Sequence, residues 1–377
     1  MQSCDTPYGT LNLERYPATQ NPTLQAFDTA DLYLLQSVAE MPASDLPILV
    51  INDNFGTLAC ALAKAESKRT VHSWSDSQLA LLALQCNLTA NDLPADAVQF
   101  IDSQQTPGGP YQCVLIRVPK SLTLMQDQLS RLHPALGEQA QVIAGAMVKH
   151  LPHAAGDLLA QYIGPYQASL AWKKARLLTS TLDQSLTPAE PDLETVYPLP
   201  ATEFQLHNKP GVFSREKLDN GTRALLASLP TGQKDGRIVD LGCGNGALGI
   251  MAAQLNPDAQ LVFIDESHAA VASARHNFTA AFPERSAEFI VSDGLTEIAE
   301  GSADLILCNP PFHQQQAVGD EMAKRLFEQS HKALGTTGSL MVVGNRHLGY
   351  HVKLRSWFEK VEQLSGNPKL VVLKASN

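Results

Sequence analysis

Asp304-Leu305-Ile306-Leu307-Cys308-Asn309-Pro310-Pro311-Phe312-His313 is the stretch on which the reading of this chain turns. Leu305 to Cys308 is a short apolar run and predicts a buried strand. It stops abruptly. Two prolines cannot continue a sheet ladder, so the chain must turn away at the strand's carboxyl end. In open α/β sheets that end is where ligands bind. Asn309 is therefore expected at the mouth of a sheet, followed by a stiff Pro310-Pro311 corner and the ring of Phe312. An amide oxygen, a carbonyl on a fixed turn and a flat apolar ring suit a planar group bearing an NH2. The oxygens accept both N–H bonds and the ring stacks on the plane. A proline-rich turn with a buried Phe is the plainer reading of Pro-Pro-Phe alone. Asn309, directly after an apolar strand, tells against it.

Moving outward, the same rhythm recurs on both sides. Apolar runs at 237–241, 260–265, 288–291, 304–308, 339–343 and 370–373 predict strands in the second half. Runs at 48–51, 70–72, 98–101, 113–118 and 141–146 predict strands in the first. Helical patterns fall between them at 55–65, from Ser77 to about Asn87, and around 122–132. Strands separated by helices at this spacing mean βαβ units and a mostly parallel sheet. Residues 1–40 open loop-like, with an amphipathic segment at 30–39. Residues 179–200 are polar and proline-bearing and predict a linker or connecting strand. Two tandem α/β domains follow, 1–185 and 200–377.

The halves repeat one another. Shifting the numbering by 190 lays Val50 to Leu58 on Asp240 to Leu248, Ser77 on Ser267 and Asn87 on Asn277. A shift of 192 lays Arg117-Val118-Pro119-Lys120 on Asn309-Pro310-Pro311-Phe312. The first half lacks counterparts of Gly242, Gly244, Asp240 and Asn309, so it reads as a degenerate copy.

The chemistry is expected in the second half. Asp240-Leu241-Gly242-Cys243-Gly244-Asn245-Gly246 follows a strand and opens a helix. Glycines there let the backbone pass close to a ligand, and the helix start offers free N–H groups. Asp265 stands 19 residues beyond Gly246, where a carboxylate can accept from both hydroxyls of a ribose. By itself this pattern also matches a dinucleotide fingerprint. Asp293 could accept from an adenine amino group or cap a helix. Asn309 to Phe312 separates the alternatives. A nicotinamide dehydrogenase needs an acid or base at that place, whereas methyl transfer to an sp2 amine needs the amine held in line with the departing group.

Composition sets bounds on the reading. The 377 residues are 44% hydrophobic and 18% charged, as in a soluble globular protein with room for two cores. No apolar run approaches the ~18 residues that span a bilayer. Met1 to Asp5 shows no basic or apolar signal-peptide region. Six scattered cysteines without a C-x-x-C pair argue against a zinc site or a disulfide framework. No metal is expected, and a reducing cytoplasm fits. The net charge of -10 is uneven: residues 323–377 hold nine Lys/Arg against three Glu. A basic patch on an acidic body is compatible with selective RNA contact.

Gly242-Cys243-Gly244-Asn245-Gly246 together with Asn309-Pro310-Pro311-Phe312-His313 resembles the S-adenosylmethionine-dependent amino-methyltransferases. The duplication, Gly211-Val212-Phe213-Ser214, Leu218-Asp219-x-Gly221-Thr222-Arg223 and Asn345-Arg346-His347 narrow the resemblance. With them the chain is similar, nearly end to end, to the bacterial ribosomal RNA guanine-N2 methyltransferases, and within these to the branch acting on 23S rRNA. That resemblance implies two tandem Rossmann-like (class I) methyltransferase domains, the N-terminal one degenerate; the sequence does not identify the oligomeric state, and a monomer is the expectation. It implies that Asp240, Gly242, Gly244, Gly246, Asp265 and Asp293 bind S-adenosylmethionine. Asn309 and the Pro310 carbonyl would grip the guanine amino group while Phe312 stacks on the base. Lys173, Lys174, Arg176 and Arg346 would contact RNA, with the first half as a positioning module. Methylation of 16S rRNA, of a protein glutamine or of adenine N6 are the nearest rivals, since the same tetrapeptide class serves them. A non-catalytic RNA-binding assembly factor is a rival of another kind, and the intact Asn309 and glycine loop disfavour it.

Overall fold

The computed structural model describes every residue except 20, 43, 66–68, 234–235 and 311–315, with backbone alone at 316–320. The chain divides into two units, Met1–Leu193 and Glu194–Asn377. The first contains β1 (Gln2–Thr6), β2 (Gly9–Leu13), α1 (Thr29–Ala39), β3 (Ile48–Ile51), α2 (Thr57–Lys64), β4 (Val71–Ser75) and α3 (Gln78–Ala90). It continues with β5 (Val98–Asp102), β6 (Tyr111–Arg117), α4 (Leu122–Leu132), β7 (Leu136–Met147), α5 (Ala154–Tyr162), β8 (Tyr166–Ala168) and β9 (Ala175–Thr181). The second holds β10 (Thr195–Pro198), β11 (Gln205–Asn208), α6 (Asn220–Leu226), β12 (Arg237–Leu241), α7 (Ala247–Leu255), β13 (Gln260–Asp265) and α8 (His268–Ala281). Then come β14 (Glu288–Val291), β15 (Ala303–Cys308), α9 (Gln316–Ala333), β16 (Leu334–Asn345), α10 (Tyr350–Lys353), β17 (Lys360–Gly366) and β18 (Leu370–Ser376).

Each unit is built on a seven-stranded sheet, ordered β5-β4-β3-β6-β7-β9-β8 in one and β14-β13-β12-β15-β16-β18-β17 in the other. The first five strands of each order run parallel, and the last two add antiparallel. The central strands are continuous apolar runs because helices cover both faces. Ile238, Leu305 and Leu307 pack with α6, α7 and α8, while Val239, Leu241 and Ile306 pack with α9 and α10. The first unit repeats the two layers, with α1 to α3 on one face and α4 and α5 on the other. Phe263 is fully buried against Phe278 and Phe289, and truncating it to Ala should cost about 3–5 kcal/mol.

This topology places the site. From β12 the chain runs outward to β13 and β14, then returns to β15 on the other side of β12. Ligands bind where the strand order reverses in this way. Leu241 pairs with Cys308, so the loop after β12 and the turn after β15 leave the sheet side by side.

Some expectations are corrected. The stretch 179–200, expected as a linker or connecting strand, begins inside β9 (Ala175–Thr181), which pairs with β7 from Gln141↔Thr181 to Met147↔Ala175. The strand reads as polar because it carries Ser180 inward, and the Gly164 carbonyl accepts that hydroxyl's hydrogen bond at 2.7 Å. The opening residues form the hairpin β1–β2, tied down where Asn87 Oδ1 accepts from the Glu14 amide at 2.8 Å. The degenerate half also keeps a loop carboxylate. Asp240 Oδ2 accepts from the Gly249 amide at 2.8 Å, and Asp53 Oδ2 accepts from the equivalent Ala59 amide at 2.9 Å, so the same N–H is satisfied from a different place.

Candidate active site

The glycine loop is pinned from below. Asp240 is completely buried, and its carboxylate serves the α7 amide of Gly249 rather than the open mouth. Burial pushes its carboxyl up to about 8. The Gly242 and Cys243 amides donate to the Ile264 carbonyl at 2.8 and 2.9 Å, which folds the loop over the end of β13. Gly242 and Gly244 adopt φ of 71° and 53°, and a Cβ on either would meet nothing within 4 Å. Open space above a left-handed backbone is a cradle for a close-lying ligand. Gly246, the N-cap of α7, also turns left-handed and sits where a Cβ would come within 3.1 Å of Ala274.

Asn245 locks this loop sideways, a feature the sequence did not reveal. Its Nδ2 donates to Tyr197 Oη at 2.7 Å and to Asn208 Oδ1 at 2.8 Å. Both partners lie on the β10–β11 hairpin. Asp265 is half-buried at the end of β13, where its two oxygens accept from the Gly244 amide at 2.9 Å and the Ser267 amide at 3.0 Å. Asp293 is almost fully buried, and Arg325 Nη1 approaches its Oδ2 at 2.5 Å. Its carboxylate is thus engaged by α9.

Asn309 leaves β15 beside this loop. Its Nδ2 donates to Asp219 Oδ2 at 3.1 Å and to Thr222 Oγ1 at 2.9 Å, while its Oδ1 is buried with no partner among the described residues. Asp219 is the N-cap of α6 and accepts from the Gly221 and Thr222 amides with the same oxygen. Pro310 is buried beside Asn309; Phe312 and His313 fall outside the described residues. Desolvation pushes the thiols of Cys243 and Cys308 far up, reinforced by Asp265 and Asp240 at Cys243 and by Asp240 at Cys308. Neither thiol is a ready nucleophile.

The basic residues singled out from the sequence lie elsewhere. Lys173 and Lys174 are exposed on the turn from β8 to β9, both with positive φ, and Lys173 Nζ sits 4.7 Å from the Trp172 ring centre. Arg176 is half-buried within β9. Arg346 is exposed just past the carboxyl end of β16, with its Nε bonded to the Asn367 carbonyl at 2.7 Å. Because β16 runs parallel to β15, Arg346 stands at the same end of the sheet as Asn309. Among the described residues no cluster of His, Cys, Asp and Glu could hold a metal ion, and no helix is long and apolar enough to cross a membrane.

With this geometry established, known proteins provide a comparison. Residues 1–184 match the RLMG N-terminal domain, and residues 203–374 match the methyltransferase small domain. The ribosomal RNA large subunit methyltransferase G of Ectopseudomonas mendocina is 54% identical over 98% of each chain. That of Pseudomonas aeruginosa is 51% identical over 98% of each. A solved 16S rRNA N2 methyltransferase from T. Thermophilus, in complex with AdoMet and guanosine, covers 100% of this chain and 97% of its own at a TM-score of 0.79 and 22% identity. That likeness is one of fold, and it spans both units.

Proposed function

The chain belongs to the ribosomal RNA large subunit methyltransferase G family, and from that premise we propose that it methylates the exocyclic N2 of a guanine in 23S rRNA, using S-adenosylmethionine. The observation that carries this reading is the state of Asn309. Its NH2 is already committed to Asp219 and Thr222, and its buried oxygen has no partner among the described residues. A buried acceptor without a donor costs free energy until a partner arrives. A guanine amino group supplies two donors, one for Asn309 Oδ1 and one for the Pro310 carbonyl. Held by both, the nitrogen presents its lone pair to one side, and no strong base is required.

The residues fit the cofactor. Gly242 and Gly244 leave open space above exposed backbone, and the half-buried carboxylate of Asp265 can accept from ribose hydroxyls. Bound there, S-adenosylmethionine supplies a methyl group on a positively charged sulfur. Asp240 contributes by holding the loop. Asp293, buried on Arg325, helps shape the adenine end. Phe312 is assigned to stacking on the base.

A guanine inside a helix cannot reach such a pocket, so the target base is flipped or unpaired. The first unit serves as an RNA-positioning module, through Lys173, Lys174 and Arg176, and Arg346 contacts RNA at the mouth of the second. The protein works in the cytoplasm as a monomer. The test is mass mapping of methylated guanines in 23S rRNA from a deletion strain. One N2-methylguanine should disappear and return with the wild-type gene but not with Asn309→Ala. An unchanged 23S pattern would overturn the substrate assignment.

A further inference from the structure

We infer that Asp219 and Thr222 are positioning residues that fix which end of the Asn309 amide faces the substrate. The inference rests on the reading of Asn309 as the acceptor for an amino group. An asparagine side chain has an oxygen face and an NH2 face of nearly equal shape, and only one of them can grip a donor. Here the choice is forced by chemistry rather than by assignment of atoms. Asp219 Oδ2, 3.1 Å from the amide, already accepts from two backbone N–H groups and can only accept again. Turning the amide round would set oxygen against carboxylate oxygen. The Thr222 hydroxyl at 2.9 Å takes the second hydrogen. Both hydrogens of the NH2 are thereby consumed, and Oδ1 is left as a buried acceptor with no partner among the described residues.

The repeat supplies an independent observation. Asp28 caps α1 as Asp219 caps α6, and Asp31 stands three residues on, as Thr222 does. The residue they hold is Arg117, the counterpart of Asn309, with Nη1 and Nη2 at 2.9 and 2.8 Å from Asp28 and Nε at 3.3 Å from Asp31. The clamp persists in both copies, and its second member follows the charge of its guest: an acid for the guanidinium, a neutral hydroxyl for the amide. In the second copy a full negative charge at position 222 would set a second carboxylate beside Asp219 with no cation between them.

The test uses the full chain and a 23S rRNA fragment carrying the target guanine. Serine caps a helix about as well as aspartate but is too short to reach Asn309, so Asp219→Ser should melt close to wild type. Thr222→Val leaves the cap untouched. For both, kcat should fall about 10- to 100-fold, since a loosened amide misplaces the reacting nitrogen. The KM for RNA and the calorimetric affinity for S-adenosylmethionine should stay within about twofold. Asp219→Asn, which keeps an oxygen for the same three donors, should recover most of the kcat lost in Asp219→Ser. Two results would overturn the clamp: Asp219→Ser and Thr222→Val keeping wild-type kcat, or losses that track cofactor affinity or melting temperature. Wild-type protein that leaves the guanine unmethylated would instead overturn the proposed function itself.

Discussion

Arg117 and Asn309 occupy one position in two copies of the same fold. Arg117 ends the fourth strand of its sheet and Asn309 directly follows the fourth strand of the other, and both donate to the acid that caps the first helix of the unit. Arg117 is a charge locked between Asp28 and Asp31, with Asp53 nearby. Asn309 is a neutral amide whose oxygen has no partner among the described residues. The first unit still has a cleft here, of about 350 Å³, but Arg117 and three aspartates line it. At the loop before it, Asn52 keeps the left-handed turn of Gly242, with φ of 61°, and its side chain is tied to Gln128. Ser75 stands where Asp265 does, and like Asp265 its side chain accepts from the amide two residues on. Under the proposed function, the same position is given to stability in the first unit and to chemistry in the second. The fold retains what satisfies the backbone and lets go of what faces a ligand.

The sharpest way to break this contrast is Arg117→Ala. It leaves Asp31, whose carboxyl burial already pushes up to about 7, beside Asp28 and Asp53 without the guanidinium that now pairs with it. Removing one partner of a buried pair typically costs about 3–5 kcal/mol, so urea unfolding should show that loss in the first unit. A loss below about 1 kcal/mol would mean that the ion cluster is not what holds the first unit together.

Asn309→Ala should do the reverse. Stability should barely move, while kcat falls about 10²- to 10³-fold, as when one preorganised hydrogen bond is removed from a reacting centre. Cofactor and RNA affinity should persist. If single-turnover rates are unchanged, the two positions do not differ in the way described.

Asp265→Ala should weaken S-adenosylmethionine by about 1.5–3 kcal/mol for each charge-assisted bond lost. The same titration should give one site per chain, because Ser75 and Asn52 replace Asp265 and Gly242 in the first unit. Two sites would end the reading of that unit as degenerate.

The smallest expected effect concerns pH. Burial raises Asp240 to about 8, far above the ordinary carboxylate range. Between pH ~4 and ~8 the folded chain therefore holds a proton that the unfolded chain has released, and stability falls as pH rises through that window. Asp240→Asn keeps an oxygen for the Gly249 amide and removes the titration. It should flatten the decline in the second unit by at least about 1.4 kcal/mol, one pKa unit's worth, by calorimetric melting. A variant with the wild-type slope would show that Asp240 is not the group responsible. Val50 stands at this position in the first unit, so melting of that unit should not respond to the change.

Much of this was written locally. The apolar runs of β3, β12, β13 and β15 announced themselves because strands buried on both faces leave little place for polar residues, the buried Asp240 of β12 being an exception held by the Gly249 amide. Ser77 marked a helix start because a cap is a contact within one turn, and its side chain, like that of its counterpart Ser267, accepts from the amide three residues on. The repeat, the glycine loop and Asn309 were legible for the same reason: each is a short pattern whose chemistry depends on its neighbours in sequence. What the sequence could not express are bonds between residues far apart in the chain. Asn309 meets Asp219 across 90 residues, and Asn245 meets Tyr197 across 48. The end of β9 and strand β10 fell in the stretch read as linker or connecting strand because partners such as the Gly164 carbonyl for Ser180 and Asn208 for the Thr195 carbonyl are met only after the chain has folded. Which end of the Asn309 amide is held is therefore a tertiary decision: the sequence supplies an amide, and the folded cap of α6 takes its NH2 and leaves its buried oxygen without a partner among the described residues.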